Sequence, residues 1–160
     1  MKAKRLLIIL FTLLPYCTWA QISAVEKLGK EANKEKNVKY ISISRTMIGM
    51  ASAFADKEER ATLKMLHNID IITCENQEYA PRLTAQALDI AQQVGAKLIG
   101  CEEDDKARSE VYAIEQNETI SELLVLITDH NGGVALFAMS GKIPISRLAD
   151  VAKLKPTKLE

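Results

Sequence analysis

The sequence predicts an α+β fold: a mainly antiparallel sheet with helices packed on at least one face. Three observations predict it. Residues 121–142, SELLVLITDHNGGVALFAMSGK, are two strand-like runs joined by Asn131-Gly132-Gly133, a tight turn that needs positive φ. Upstream, residues 96–102 (AKLIGCE) and 110–116 (EVYAIEQ) are strand-like and set off by polar turns, so the C-terminal part reads as a four-stranded meander. Leu83, Ala87, Ile90, Ala91 and Val94 mark the apolar stripe of an amphipathic helix, with Gly95 placed to end it.

The first twenty residues stand apart from this domain. Lys2, Lys4 and Arg5 precede the apolar run 6–14, and Thr18-Trp19-Ala20 offers a small-residue cleavage site before Gln21. An anchor spanning a bilayer needs ~20 apolar residues, so 1–20 reads as a signal peptide and 21–155 as a single domain with a frayed tail at 156–160. The expected location is outside the cytoplasm: periplasmic, associated with the outer membrane, or extracellular. Cleavage would leave 18 basic against 21 acidic residues and remove Trp19, the only tryptophan. A mildly acidic domain lacks the basic face that phosphate contacts require, which argues against nucleic acid as a partner. The remaining apolar runs are too short for a membrane span.

Within the domain, Ile22, Val25 and Leu28 recur at helical spacing, and the lysine-rich GKEANKEKN follows as a solvated end or linker. Residues 38–44 (VKYISIS) alternate and form the first strand. Asp56 with Glu59 three residues on resembles a capping box and opens a helix over 57–67, placing His67 at its C-terminus. Residues 69–75 (IDIITCE) form a strand, and strand, helix, strand of this length suits a crossover. A last short helix begins at Ser146, after Pro144.

Chemistry is harder to find than architecture. Cys74 and Cys101 survive cleavage, and an even pair in an exported protein invites a disulfide. Closing that loop would contribute ~3.5 kcal/mol on the chain-entropy model. The plainer alternative is two thiols acting as small hydrophobes within strands. Met47, Ile48, Met50 and Phe54, in RTMIGMASAF, form either a short core helix or an adaptable apolar surface for a partner. His67 and His130 lack companions at metal-ligand spacing, and neither a cofactor fingerprint nor a nucleophile motif appears. The acidic run 102–105 suits a solvated turn balanced by Lys106 and Arg108 better than a calcium loop. No catalytic, cofactor-binding or metal residue is therefore assigned.

The strand, helix and hairpin segments VKYISISRTMIGM and ISELLVLITDHNGGVALFAMSGKI, with the helix–strand–helix passage between them, resemble a family of small exported proteins of Gram-negative bacteria known only as a domain of unknown function. The resemblance implies an envelope location and a compact α+β fold, and fits a non-enzymatic role better than an enzymatic one. The leading expectation is a binding or accessory module acting through surface contacts, on another envelope protein or on itself. A small hydrolase using two carboxylates, and a redox- or stress-responsive regulator, are the alternatives. The hairpin sharpens the choice. Leu123, Val125 and Ile127 project to one face and Leu124 and Leu126 to the other, so both faces need cover. A face left bare would be the first place to look for a partner.

Overall fold

The computed structural model describes residues 20–148 and 151, with side chains from residue 24. The signal-peptide reading, apart from Ala20, and the C-terminal tail lie outside the described residues. The elements run α1 (Ala20–Ala32), β1 (Val38–Ser44), α2 (Arg45–Ser52), α3 (Lys57–Leu63), β2 (Leu66–Cys74), α4 (Ala80–Gln93), β3 (Lys97–Glu103), β4 (Ala107–Gln116), β5 (Thr119–Asp129) and β6 (Val134–Pro144), then a 3-10 turn at Ile145–Arg147. All six strands form one antiparallel sheet in the order β1-β2-β6-β5-β4-β3. The predicted meander is there as β3 to β6, and the 121–142 hairpin supplies its last two strands.

Topology departs from expectation at one step. The β2–α4–β3 connection is a crossover, but β6, β5 and β4 stand between the two strands it joins. The hairpin partner of β5 therefore docks on β2 and welds the two halves into one sheet.

One sheet face is covered by α1 and α4. Val25, Leu28 and Ala32 from α1 and Leu83, Ala87 and Ala91 from α4 pack on Ile72, Leu124, Leu126, Leu136 and Ala138. The alanines along α4 let its backbone lie close to the strands, which suits a sheet face already filled by leucines. Gly29 serves the same purpose for one aromatic ring. A Cβ there would collide with the ring of Tyr40, so the residue without one is required where the ring lies on α1. At the hairpin tip, Gly132 has φ +90°, and the amide of Asp129 donates to the carbonyl of Gly133 to close the turn.

The opposite face is covered only in part. Ile48 of α2, Leu63 of α3, Leu148 and Val151 pack over Leu66, Ala113, Ile120, Leu123, Met139 and Ile143 at one end of the strands. Asp56 caps α3, its Oδ1 accepting from the amides of Glu58 and Glu59 at 2.9 Å. That helix stops at Leu63, and His67 lies inside β2 rather than at a helix end. The strand claims it because Leu66 is needed in the core and the chain must already be extended there. Burial, with Arg45 and Lys142 nearby, lowers the His67 pKa below the usual histidine range.

The two sheet edges differ. On β1 the amide of Tyr40 donates to Asn33 Oδ1 at 3.0 Å, so an edge donor is already taken. On β3 a bulge between Leu98 and Gly100 interrupts the pairing, and Leu98 and Ile99 are each about half exposed, at 52% and 46%.

Candidate functional site

The register builds an apolar groove on the partly covered face. Three successive rungs of the sheet contribute side chains that point the same way. Ile43, Ile69 and Met139 form the first rung. Ile71, Phe137, Val125, Val111 and the backbone at Gly100 form the second, and Ile127, Ser109 and Glu102 the third. Leu63, Leu148 and Val151 close the end nearest the first rung, while at the far end the described lining consists of sheet residues alone and is open. The volume is about 640 Å³. It exists because α2 and α3 are too short to roof the whole sheet, at eight and seven residues. Cavities of roughly 300–1,000 Å³ are the usual size for small-molecule sites.

Polar groups are few and sit at the open end. Ser109 of β4 and Glu102 of β3 are paired across the strands. Glu102 has no ion pair among the described residues, whereas Arg108 is held by Glu103 at 3.6 Å and Glu110 at 3.0 Å. Asp104, in the same acidic run, is occupied with the β3–β4 turn. Asp104 Oδ1 accepts from the amides of Lys106 and Ala107, and those bonds hold its carboxyl below the usual range.

A second polar set lies on the opposite, helix-covered face. Asp70 is fully buried and accepts from the Tyr40 hydroxyl at 2.7 Å and from Asn68 Nδ2 at 2.6 Å. Burial and the Asp70 bond together raise the Tyr40 pKa well above the ordinary phenol value. Asn68, Ser140 and Glu122 share the next row of the sheet. Glu122 is 3% exposed, and its Oε2 has no hydrogen-bond partner. Loss of hydration pushes its pKa up to about 7. These two acids are the buried carboxylates a hydrolase reading requires, yet they lie on the face away from the groove. Asp70 is moreover committed to structural partners.

The residues singled out in the sequence divide. Met47, Met50 and Phe54 are exposed, at 51%, 64% and 93%, but Ile48 is 3% exposed and belongs to the core. At helical spacing Ile48 faces the sheet while its neighbours face away. The proposed Cys74–Cys101 disulfide is not formed. Cys74 is buried and Cys101 exposed, both as free thiols, with three strands between β2 and β3. Four strand spacings amount to about 19 Å, far beyond the ~7 Å limit on a bridged Cα pair. Against both sequence readings of the pair, only Cys74 packs as a small hydrophobe. His130 stays in the hairpin turn, with its Nε2 2.9 Å from the Asp104 carbonyl. No motif in the sequence marks Asp70, Glu122 or Tyr40. A lone acid within an apolar strand, as in NIDIITC and ISELLVLI, was the available signal.

Fold and groove define an α+β domain with one helix-covered sheet face and one face bearing a ligand-sized apolar groove. Among the described residues no group of three His, Cys, Asp or Glu side chains is placed to hold a metal ion, and no helix is long and apolar enough to cross a membrane. The chain belongs to the family described as Domain of unknown function (DUF4252), whose match spans residues 31–151. No curated protein and no solved structure matched it.

Proposed function

We propose that this domain is a binding module whose working surface is the groove, and that it takes up an aliphatic ligand there. The observation that carries the reading is the 640 Å³ hollow on a sheet face whose own helices leave it unroofed. Both faces of the β5–β6 hairpin are apolar, and the groove face is the one that the described residues cover only in part. Its lining is mostly branched aliphatic, offering van der Waals contact and little hydrogen bonding, which suits a chain-like apolar ligand. The charged n-region and apolar run of residues 1–20 support export, and action in the cell envelope, as part of the same proposal.

Nile red, a neutral dye that brightens and shifts to the blue in apolar surroundings, tests it. The native protein should enhance its emission. Ile71→Asn and Ile127→Asn, both half-buried in the groove, should each weaken dye binding about tenfold while leaving the far-ultraviolet circular dichroism unchanged. Dye that is not enhanced, or that ignores both substitutions, would sink the reading.

A further inference from the structure

We infer that the groove selects an apolar chain ending in a positive charge, with that charge seated at Glu102. The inference rests on the groove being a binding site and specifies which ligand it takes. The groove is chemically lopsided: the end beneath Leu63, Leu148 and Val151 is closed and aliphatic, and the open end carries Glu102, the only charged side chain among the described lining residues, beside the Ser109 hydroxyl. A ligand whose tail fills the closed end must present its head to this pair.

The sign of the head follows from what surrounds the carboxylate. Glu102 is exposed and unpaired among the described residues. Within the β3–β4 hairpin, Arg108 is occupied by Glu103 and Glu110. Its register partner, Thr128, pairs in turn with Val134 of the helix-side core, so Arg108 projects to the face away from the groove. Among the described lining residues nothing would neutralise an anionic head, and a fatty carboxylate would meet like charge at the mouth. An ammonium head would gain an ion pair, and a hydroxyl head would be left to Ser109. Selection therefore runs ammonium, then alcohol, then carboxylate.

Titration calorimetry with dodecyltrimethylammonium, dodecanol and dodecanoate, each below its aggregation concentration, tests both levels. At pH 8 the ammonium should bind about threefold to fivefold more tightly than the alcohol and the carboxylate more weakly by a similar factor, the range of an exposed ion pair. Glu102→Gln, at an exposed position, should bring the three affinities together without changing that of the alcohol. The preference should also shrink in 0.5 M salt, at which exposed charges are screened. If all three bind alike to the unsubstituted protein, or Glu102→Gln leaves the order intact, the charge selection is wrong while the groove remains a binding site. If none of them binds, both fail.

Discussion

Glu122 makes the stability of this protein depend on pH in the direction opposite to that of most carboxylates. Its side chain is 3% exposed, and Oε2 lacks a hydrogen-bond partner, so the folded state favours the neutral acid and the pKa rises from 4.5 to about 7. The unfolded chain gives up that proton near the ordinary value. Below about pH 4.5 both states hold it and the contribution to stability is complete. Between 4.5 and 7 only the folded state does, so stability falls as pH rises. Above 7 the loss is complete. A displacement of about 2.5 units at 1.36 kcal/mol per unit gives a ceiling of about 3 kcal/mol. His67 acts in the other sense: its lowered pKa favours the neutral ring in the folded state, so its contribution is present above the usual histidine range and lost as pH falls. Urea unfolding of the unsubstituted protein and Glu122→Gln across pH 4.5 to 8 separates the two, because His67 is common to both. The difference in unfolding free energy should swing in favour of glutamine by about 2–3 kcal/mol from the acid to the alkaline end. A difference that stays constant over this range would refute a neutral, buried Glu122.

Four further outcomes follow from the described contacts. Tyr40→Phe removes one of the two donors that satisfy buried Asp70 and should cost about 1–3 kcal/mol in urea unfolding; an unchanged midpoint would show the bond to be incidental. Gly29→Ala ought to stabilise an exposed helix by about 1 kcal/mol, but here it should destabilise the protein, because the new Cβ meets the Tyr40 ring. Repeated in a Tyr40→Ala background the change should turn favourable, and failure to reverse would mean the ring is not the obstacle. Asp56→Ala should lower stability by about 1 kcal/mol through loss of the α3 cap, read as a shift in melting temperature. Cys101 should react with a thiol reagent in the native protein at once, and Cys74 only on unfolding, which stoichiometric titration with and without denaturant will show.

The elements that could be read from the sequence were those fixed by local pattern. VKYISIS became β1 at its expected limits, Asp56 capped the helix after it, and the Asn131-Gly132-Gly133 turn closed the last hairpin. Strand order was not local in this sense. Nothing in IDIITC states that its second neighbour is a strand more than sixty residues away, since any apolar strand of the right length offers the same ladder. The cysteine pairing failed for the same reason, as proximity across a sheet depends on that order. Hydrophobic period located Met47, Ile48 and Met50 on a helix but not which of them faced inwards, and Phe54, expected with them, lies in the turn beyond its end. The groove was half legible: the doubly apolar hairpin demanded cover on both sides, but where the cover ends is set by the lengths of α2 and α3 and by how they dock.

The unequal edges of the sheet have a consequence for how copies of this chain meet at high concentration. Strand-to-strand growth without limit requires two usable edges per molecule, one to receive and one to offer. On β1 the side chain of Asn33 already occupies the amide of Tyr40, whereas β3, although kinked by its bulge, shows Leu98 and Ile99 to solvent. Association through the sheet would therefore favour β3 over β1, and replacing Asn33 with a side chain that cannot accept would free one further donor on the β1 edge.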